Sequence, residues 1–149
     1  MRILAAIALV TAALVAPATA WGWGSEVNPY ACYLSGGQVT RPAGTDIVVR
    51  QGWAATQRSY SWQFIRAQHT TISINGSAPY DLSRDWTTPR LVSPENWVTW
   101  VFFPTLVTLE PGESMSFHFV TSVRRTVYDG VTFGGPGTII DSDCTVTGV

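Results

Sequence analysis

The side chains able to do chemistry are few: two histidines, His69 and His118, ten carboxylates and two cysteines. Each histidine lies on the polar phase of an alternating run, His69 beside Thr71 and His118 beside Ser116. Both are therefore expected to face solvent on opposite or distant sheet surfaces, with no acidic or nucleophilic neighbour in their own strand. No Gly-x-Ser-x-Gly elbow strains a serine into a nucleophile. Gly134-Gly135-Pro136-Gly137 is followed by neither a lysine nor a helix, so it makes no phosphate cradle. Asp81 and Asp85, or Asp141 and Asp143, supply oxygens suited to calcium, but the glycine and closing glutamate of a calcium loop are missing. No metal ligands and no cofactor are assigned. A glycosidase needs only two carboxyl groups about 5 to 9.5 Å apart, so Glu95 and Glu113 keep a carboxylate-based hydrolase open as the alternative to a protein without catalysis.

The cysteines point to structure. Met1-Arg2, the apolar run Ile3–Val15 and the small-residue site Ala18-Thr19-Ala20 read as a secretory signal peptide over 1–20, too short to span a membrane. Export would carry Cys32 and Cys144 into an oxidising medium, where they are expected to pair and tie the first strand to the last. The remaining residues, 21–149, suit one domain with one core and no membrane span. Removing Arg2 leaves eight arginines against ten acids, a net charge of -2, and lysine is absent. Such a weak field neither attracts nor excludes nucleic acid, but no basic run exists to track a phosphate backbone, so no nucleic-acid partner is expected. The Arg-only usage hints at a GC-rich bacterial genome.

Seven tryptophans are the unusual feature. Trp53, Trp62 and either Trp97 or Trp100 fall on inward phases and read as core. Trp21 and Trp23 on a glycine-rich arm, and Trp86 with Tyr80 in a long irregular segment, have no such home. Their rings either stack on sugars or anchor a protein partner, or they cap the ends of the fold; composition leaves both readings open.

The elements that must position these groups are strands. Trp97–Val120 is the longest apolar stretch and reads as two strands joined by a tight corner at Glu110-Pro111-Gly112-Glu113; Met115, Phe117 and Phe119 alternate with serines and His118. Pro104 must bulge or end the first arm. Further strands are expected at Val27–Leu34, at Ile47–Trp53, around Trp62 and Phe64, at His69–Asn75, Thr126–Phe133 and Thr138–Val146, with no helix. Asn75-Gly76 supplies a hairpin turn, a stronger reading than the glycosylation sequon of Asn75-Gly76-Ser77. Ser77–Asn96 is the longest loop.

About eight strands at regular spacing predict an antiparallel two-sheet sandwich closed by one disulfide. The corner Leu109-Glu110-Pro111-Gly112-Glu113-Ser114-Met115 resembles the Leu-x-Pro-Gly corner of fibronectin type III and immunoglobulin-like domains of secreted bacterial proteins, with Met115 where a tyrosine often stands. The resemblance implies an immunoglobulin-like sandwich of 7–8 strands and no activity. The expectation is a secreted, extracellular, non-catalytic binding or structural module whose partner is an extracellular protein or a cell-wall or other glycan.

Overall fold

The computed structural model describes residues 25–149. The signal segment, Trp21 and Trp23 lie outside the described residues. In order the chain forms β1 (Ser25–Val27), α1 (Pro29–Leu34), β2 (Gln38–Arg41), β3 (Ile47–Ala55), α2 (Arg58–Ala67), β4 (Gln68–Ile74) and β5 (Tyr80–Asp81). It continues with β6 (Arg90–Ser93), β7 (Asn96–Phe102), β8 (Ser114–Val123), β9 (Val127–Tyr128), β10 (Phe133–Gly134) and β11 (Gly137–Gly148). A four-stranded sheet of order β1-β3-β7-β6 faces a five-stranded sheet of order β2-β11-β8-β4-β5, and β9 pairs with β10 in a separate hairpin. The fold is an all-β sandwich carrying two short helices.

Alternation fills the space between the sheets. Phe117, Phe119 and Val123 of β8, Ile72 of β4 and Val146 of β11 meet Ile47, Val49, Trp53 and Val101 of the opposite sheet in one core. A single polar thread crosses it. Gln51 donates from Nε2 to the Thr121 hydroxyl at 2.6 Å, Thr121 and Thr70 hydroxyls lie 3.0 Å apart, Thr70 donates to Gln68 Oε1 at 2.7 Å, and Gln68 Nε2 reaches the Ser83 carbonyl at 2.7 Å. Each hydroxyl and amide donor of this thread thus has an acceptor, the condition under which burial of such groups is tolerated, whereas the indole N–H groups of Trp53 and Trp86 in the same core have none. One side of the Gln51 amide, Oε1, stays without a partner.

Several strand expectations are corrected. Residues 29–34 are helical because Pro29 opens the turn with its φ already suitable and the Asn28 side chain caps it, accepting from the Ala31 amide at 2.8 Å. Cys32 therefore sits on a helix and not on a first strand. The segment around Trp62 and Phe64 is α2: its buried residues are Ser61, Phe64 and Ala67, a helical spacing, and Trp62 is half-buried on the helix side. Thr126–Phe133 is no single strand but the β9–β10 hairpin, folded around Asp129, whose carboxylate accepts from the Val131 and Thr132 amides at 2.7 Å each. Gly130 at its tip has φ +106 and presses on Thr56, leaving no room for a Cβ.

The two arms of Trp97–Val120 are strands, with Phe117 and Phe119 inward. They lie in opposite sheets. The ladder of β7 ends at Phe102 ahead of Pro104, and the chain crosses over through Val107, bridged to Ile47, and the buried Leu109. Gly112 turns the corner with φ +80, and the Glu113 side chain accepts from the Glu110 amide. Asn75 and Gly76 take the positive φ of the expected tight turn.

Cys32 and Cys144 are bonded, joining α1 to β11 across a separation of 112 residues. Closing a loop of that length restricts the unfolded chain, so replacing both cysteines by alanine should lower the unfolding free energy by about 4 to 5 kcal/mol in the chain-entropy model. Urea unfolding of the double variant checks this; a loss below about 1 kcal/mol would show that the bond restrains little of the unfolded ensemble.

Candidate functional site

The residues singled out by the sequence scatter. Trp86 is a core residue, 9% exposed, with its ring edge-on to Phe64 at 4.9 Å. The expectation of an exposed ring fails there because the irregular segment after β5 folds inward, burying Leu82 and Trp86. Tyr80 is half-exposed on β5, against the edge of Phe103. Glu95 and Glu113 do not share a cleft. Glu95 turns the chain into β7 beside the last residue of β3, and Glu113 sits at the corner near the first, so the length of β3 separates them by about 25 Å at ~3.3 Å per residue.

Both histidines do have carboxylate neighbours, supplied by adjacent strands. His118 Nε2 lies 2.8 Å from Asp141 Oδ1, and His69 Nε2 lies 3.7 Å from Asp81 Oδ2. The register pairs Ser73 with His118 and His69 with Ser122, which puts both histidines on one outer sheet face, against the expectation of opposite or distant surfaces. Ser73, Ser77, Ser116, Asp143 and Thr145 surround His118 in a shallow open depression. A serine, a histidine and an aspartate are thus near one another, but no hydrogen bond joins a serine hydroxyl to His118, and a triad requires that link. Among the described residues no group of three metal-ligating side chains forms.

A different grouping forms at the end of the sandwich where β3 stops and β4 begins. Tyr128 and Phe133 are opposite one another in the β9–β10 hairpin, their rings stacked at 4.4 Å, and Tyr60 of α2 meets Tyr128 edge-on at 5.0 Å. Phe133 is 72% exposed and Val131, at the hairpin tip, 58%. The hairpin is clamped to α2: Gln63 Oε1 accepts from the Tyr128 amide, and the Thr56 amide donates to the Asp129 carbonyl at 2.7 Å. Arginines lie on the chain segments that flank these elements, at the end of α2 and just before β9. Arg124 donates to the Arg66 carbonyl at 2.7 Å, closing the C-terminal turn of α2, and Arg125 follows it; all three are exposed. The ion pairs among the described residues, Arg50–Glu26, His69–Asp81 and His118–Asp141, include none of them.

Sequence reasoning missed Tyr60, Arg66, Arg124, Arg125, Tyr128 and Phe133. The Asp129-Gly130 dipeptide between Tyr128 and Phe133 is a hairpin signal that could have paired the rings. Their meeting with α2 could not be read, since that depends on a helix taken for a strand. Compared with protein-family models, curated proteins and solved structures, the chain matches none.

Two outcomes follow from this geometry. Trp86→Ala empties a core position and should cost about 3 to 5 kcal/mol in urea unfolding; an unchanged midpoint would put the ring outside the core. The Asp81 carboxylate is held below its usual range by hydrogen bonds from the Ser83 hydroxyl and amide, with His69 adding to the effect. A folded value below the unfolded one means stability present above pH ~4 and lost as pH falls through the folded value. The difference in thermal midpoint between wild type and Asp81→Ala should therefore be constant near neutrality and shrink below pH ~4; a difference that persists at pH 2 would assign it to packing.

Proposed function

We propose that the chain is a secreted, non-catalytic binding module with an immunoglobulin-like sandwich, and that it contacts an extracellular glycan or protein through the end built from α2 and the β9–β10 hairpin. The observation that carries the reading is the Phe133 ring, 72% exposed yet stacked on Tyr128 and fixed through Tyr60 to α2. An apolar ring held rigidly in water is a cost to folding that a bound partner would relieve, and rigid aromatics supply contact area with little loss of conformational freedom.

The strand order supports the architectural part. Lettered along the chain with β1 as A, β3 as B, β4 as C, β5 as C′, β6 as D, β7 as E, β8 as F and β11 as G, the sheets run A-B-E-D and G-F-C-C′, the immunoglobulin arrangement, with β2 as a fifth strand added in parallel beside G. The B–C connection is then α2 and the F–G connection holds the hairpin, the two loops that meet at the binding end of variable domains. The parallel pairing of β1 with β3 and a disulfide from α1 to β11 are this chain's departures. Export is supported by the leader-like residues 1–20 and by the disulfide itself.

The test is retention of the purified protein on the producing cells' envelope and on polymers from the culture medium. Phe133→Ala should reduce retention about thirtyfold, the equivalent of about 2 kcal/mol at a contact hot spot. Its thermal midpoint should stay within about 2 °C of wild type, since an exposed ring contributes little to stability. Equal retention of variant and wild type would sink the reading.

A further inference from the structure

We infer that the ligand of this end is an acidic polysaccharide, a chain of sugar rings carrying carboxylate or sulfate groups; the inference rests on the binding-module reading above. Two features of one surface have to be satisfied together. The first is the outer face of Phe133, whose other face is occupied by Tyr128. A flat, exposed ring backed by Tyr128 suits the C–H face of a sugar, which is itself flat and rigid. A peptide anchor would instead look for a concave pocket.

The second feature is Arg66, Arg124 and Arg125. Arg124 is pinned to the Arg66 backbone carbonyl at 2.7 Å, Arg125 is the next residue along, and among the described residues no carboxylate pairs with any of the three. Asp129, the acid nearest in the hairpin, is 3% exposed and its oxygens are occupied by Val131 and Thr132. The full chain carries a net charge of -1, so this cluster is not part of a general excess of positive charge. Asp46, Glu110 and Glu113 lie around the opposite end, where β3 begins and the corner precedes β8. Glu95 beside the last residue of β3 and Arg41 beside Gly148 soften this contrast without reversing it, so an anionic polymer would be drawn to the arginine end in preference to the other. Guanidinium forks match both carboxylate and sulfate oxygens. The charged area is too small to track a long phosphate backbone, which disfavours a nucleic acid.

Binding is measured by titrating the disulfide-bonded protein with oligogalacturonate, chondroitin sulfate oligosaccharides, a neutral gluco-oligosaccharide, poly-glutamate and oligothymidylate. One or both acidic oligosaccharides should bind, the two arms reporting which anion is preferred, with the neutral sugar and poly-glutamate at least tenfold weaker. The double variant Arg124→Gln/Arg125→Gln should lose about tenfold or more and show a flatter salt dependence, whereas Phe133→Ala should lose affinity with the salt dependence unchanged. Equal binding of poly-glutamate or oligothymidylate, or arginine variants that bind as wild type, would overturn the inference. Head-to-tail self-association removed by Glu110→Gln/Glu113→Gln would overturn it too, by assigning the arginines to a second copy. If no acidic sugar binds while envelope retention still depends on Phe133, the inference fails and the binding module stands. If retention is also indifferent to Phe133, both fail.

Discussion

Phe64 is the residue on which the arrangement turns. Its ring lies flat on Trp53 of β3 at 4.3 Å and 3°, and edge-on to Trp86 at 4.9 Å, with no exposed surface of its own. Burying such a ring stabilises by about 1.5 to 3 kcal/mol, and each aromatic pair adds about 0.5 to 1.5 kcal/mol. Three separate parts of the chain are joined by it: the end of a central strand, a helix, and the long connection between sheets. Arg66, two residues on from Phe64, lies on the opposite side of α2 and is exposed, while Tyr60, four residues before it, lies on the adjoining face, half-buried against Tyr128 of the β9–β10 hairpin. The core contact and the candidate surface thus share one short helix.

The polar thread from Gln51 to Ser83 complements that ring cluster. Apolar packing between sheets is tolerant of sliding, whereas a run of hydrogen bonds from Gln51 through Thr121 and Thr70 to Gln68 has acceptable geometry in one alignment only. It fixes β3 against β8 and β4 near the end that carries α2. At the other end the constraint is covalent and steric: the disulfide holds α1 to β11, and Gly148 lies so close to the Glu110 carbonyl that a Cβ would fall 2.5 Å from its oxygen.

Between these two ends the outer face of the five-stranded sheet is an ordinary wet surface of serines, threonines and two histidine–carboxylate pairs. The exposure of His118 and Asp141, 44% and 67%, leaves the contact between them well screened by solvent. At the α2 end, by contrast, Phe133 stays exposed on the support of Tyr128, and Arg66, Arg124 and Arg125 have no carboxylate partner among the described residues. That contrast is why the end of the sandwich, and not the histidine face, is the surface proposed for a partner.

The sequence by itself determined the class of fold and the covalent bond. Period-two alternation in β3, β4 and β8, turn residues such as Asn75-Gly76 and Pro111-Gly112, and one even pair of cysteines are local signals, and local signals suffice for a strand-rich, disulfide-closed sandwich. Tertiary structure decided what local signals leave ambiguous. Trp62 and Phe64 alternate with Ser61, Gln63 and Ile65 and so read as a strand, whereas docking of Phe64 between Trp53 and Trp86 goes with a helix. Trp86 lies in a segment whose polar composition suggested exposure, and its burial depends on contacts with residues more than twenty positions away. The neighbours of each histidine follow from strand register, and the meeting of Tyr60, Tyr128 and Phe133 from two connections folding to the same end. Proximity of that kind is a property of the closed sandwich, because it is set by long-range packing that no window of sequence contains.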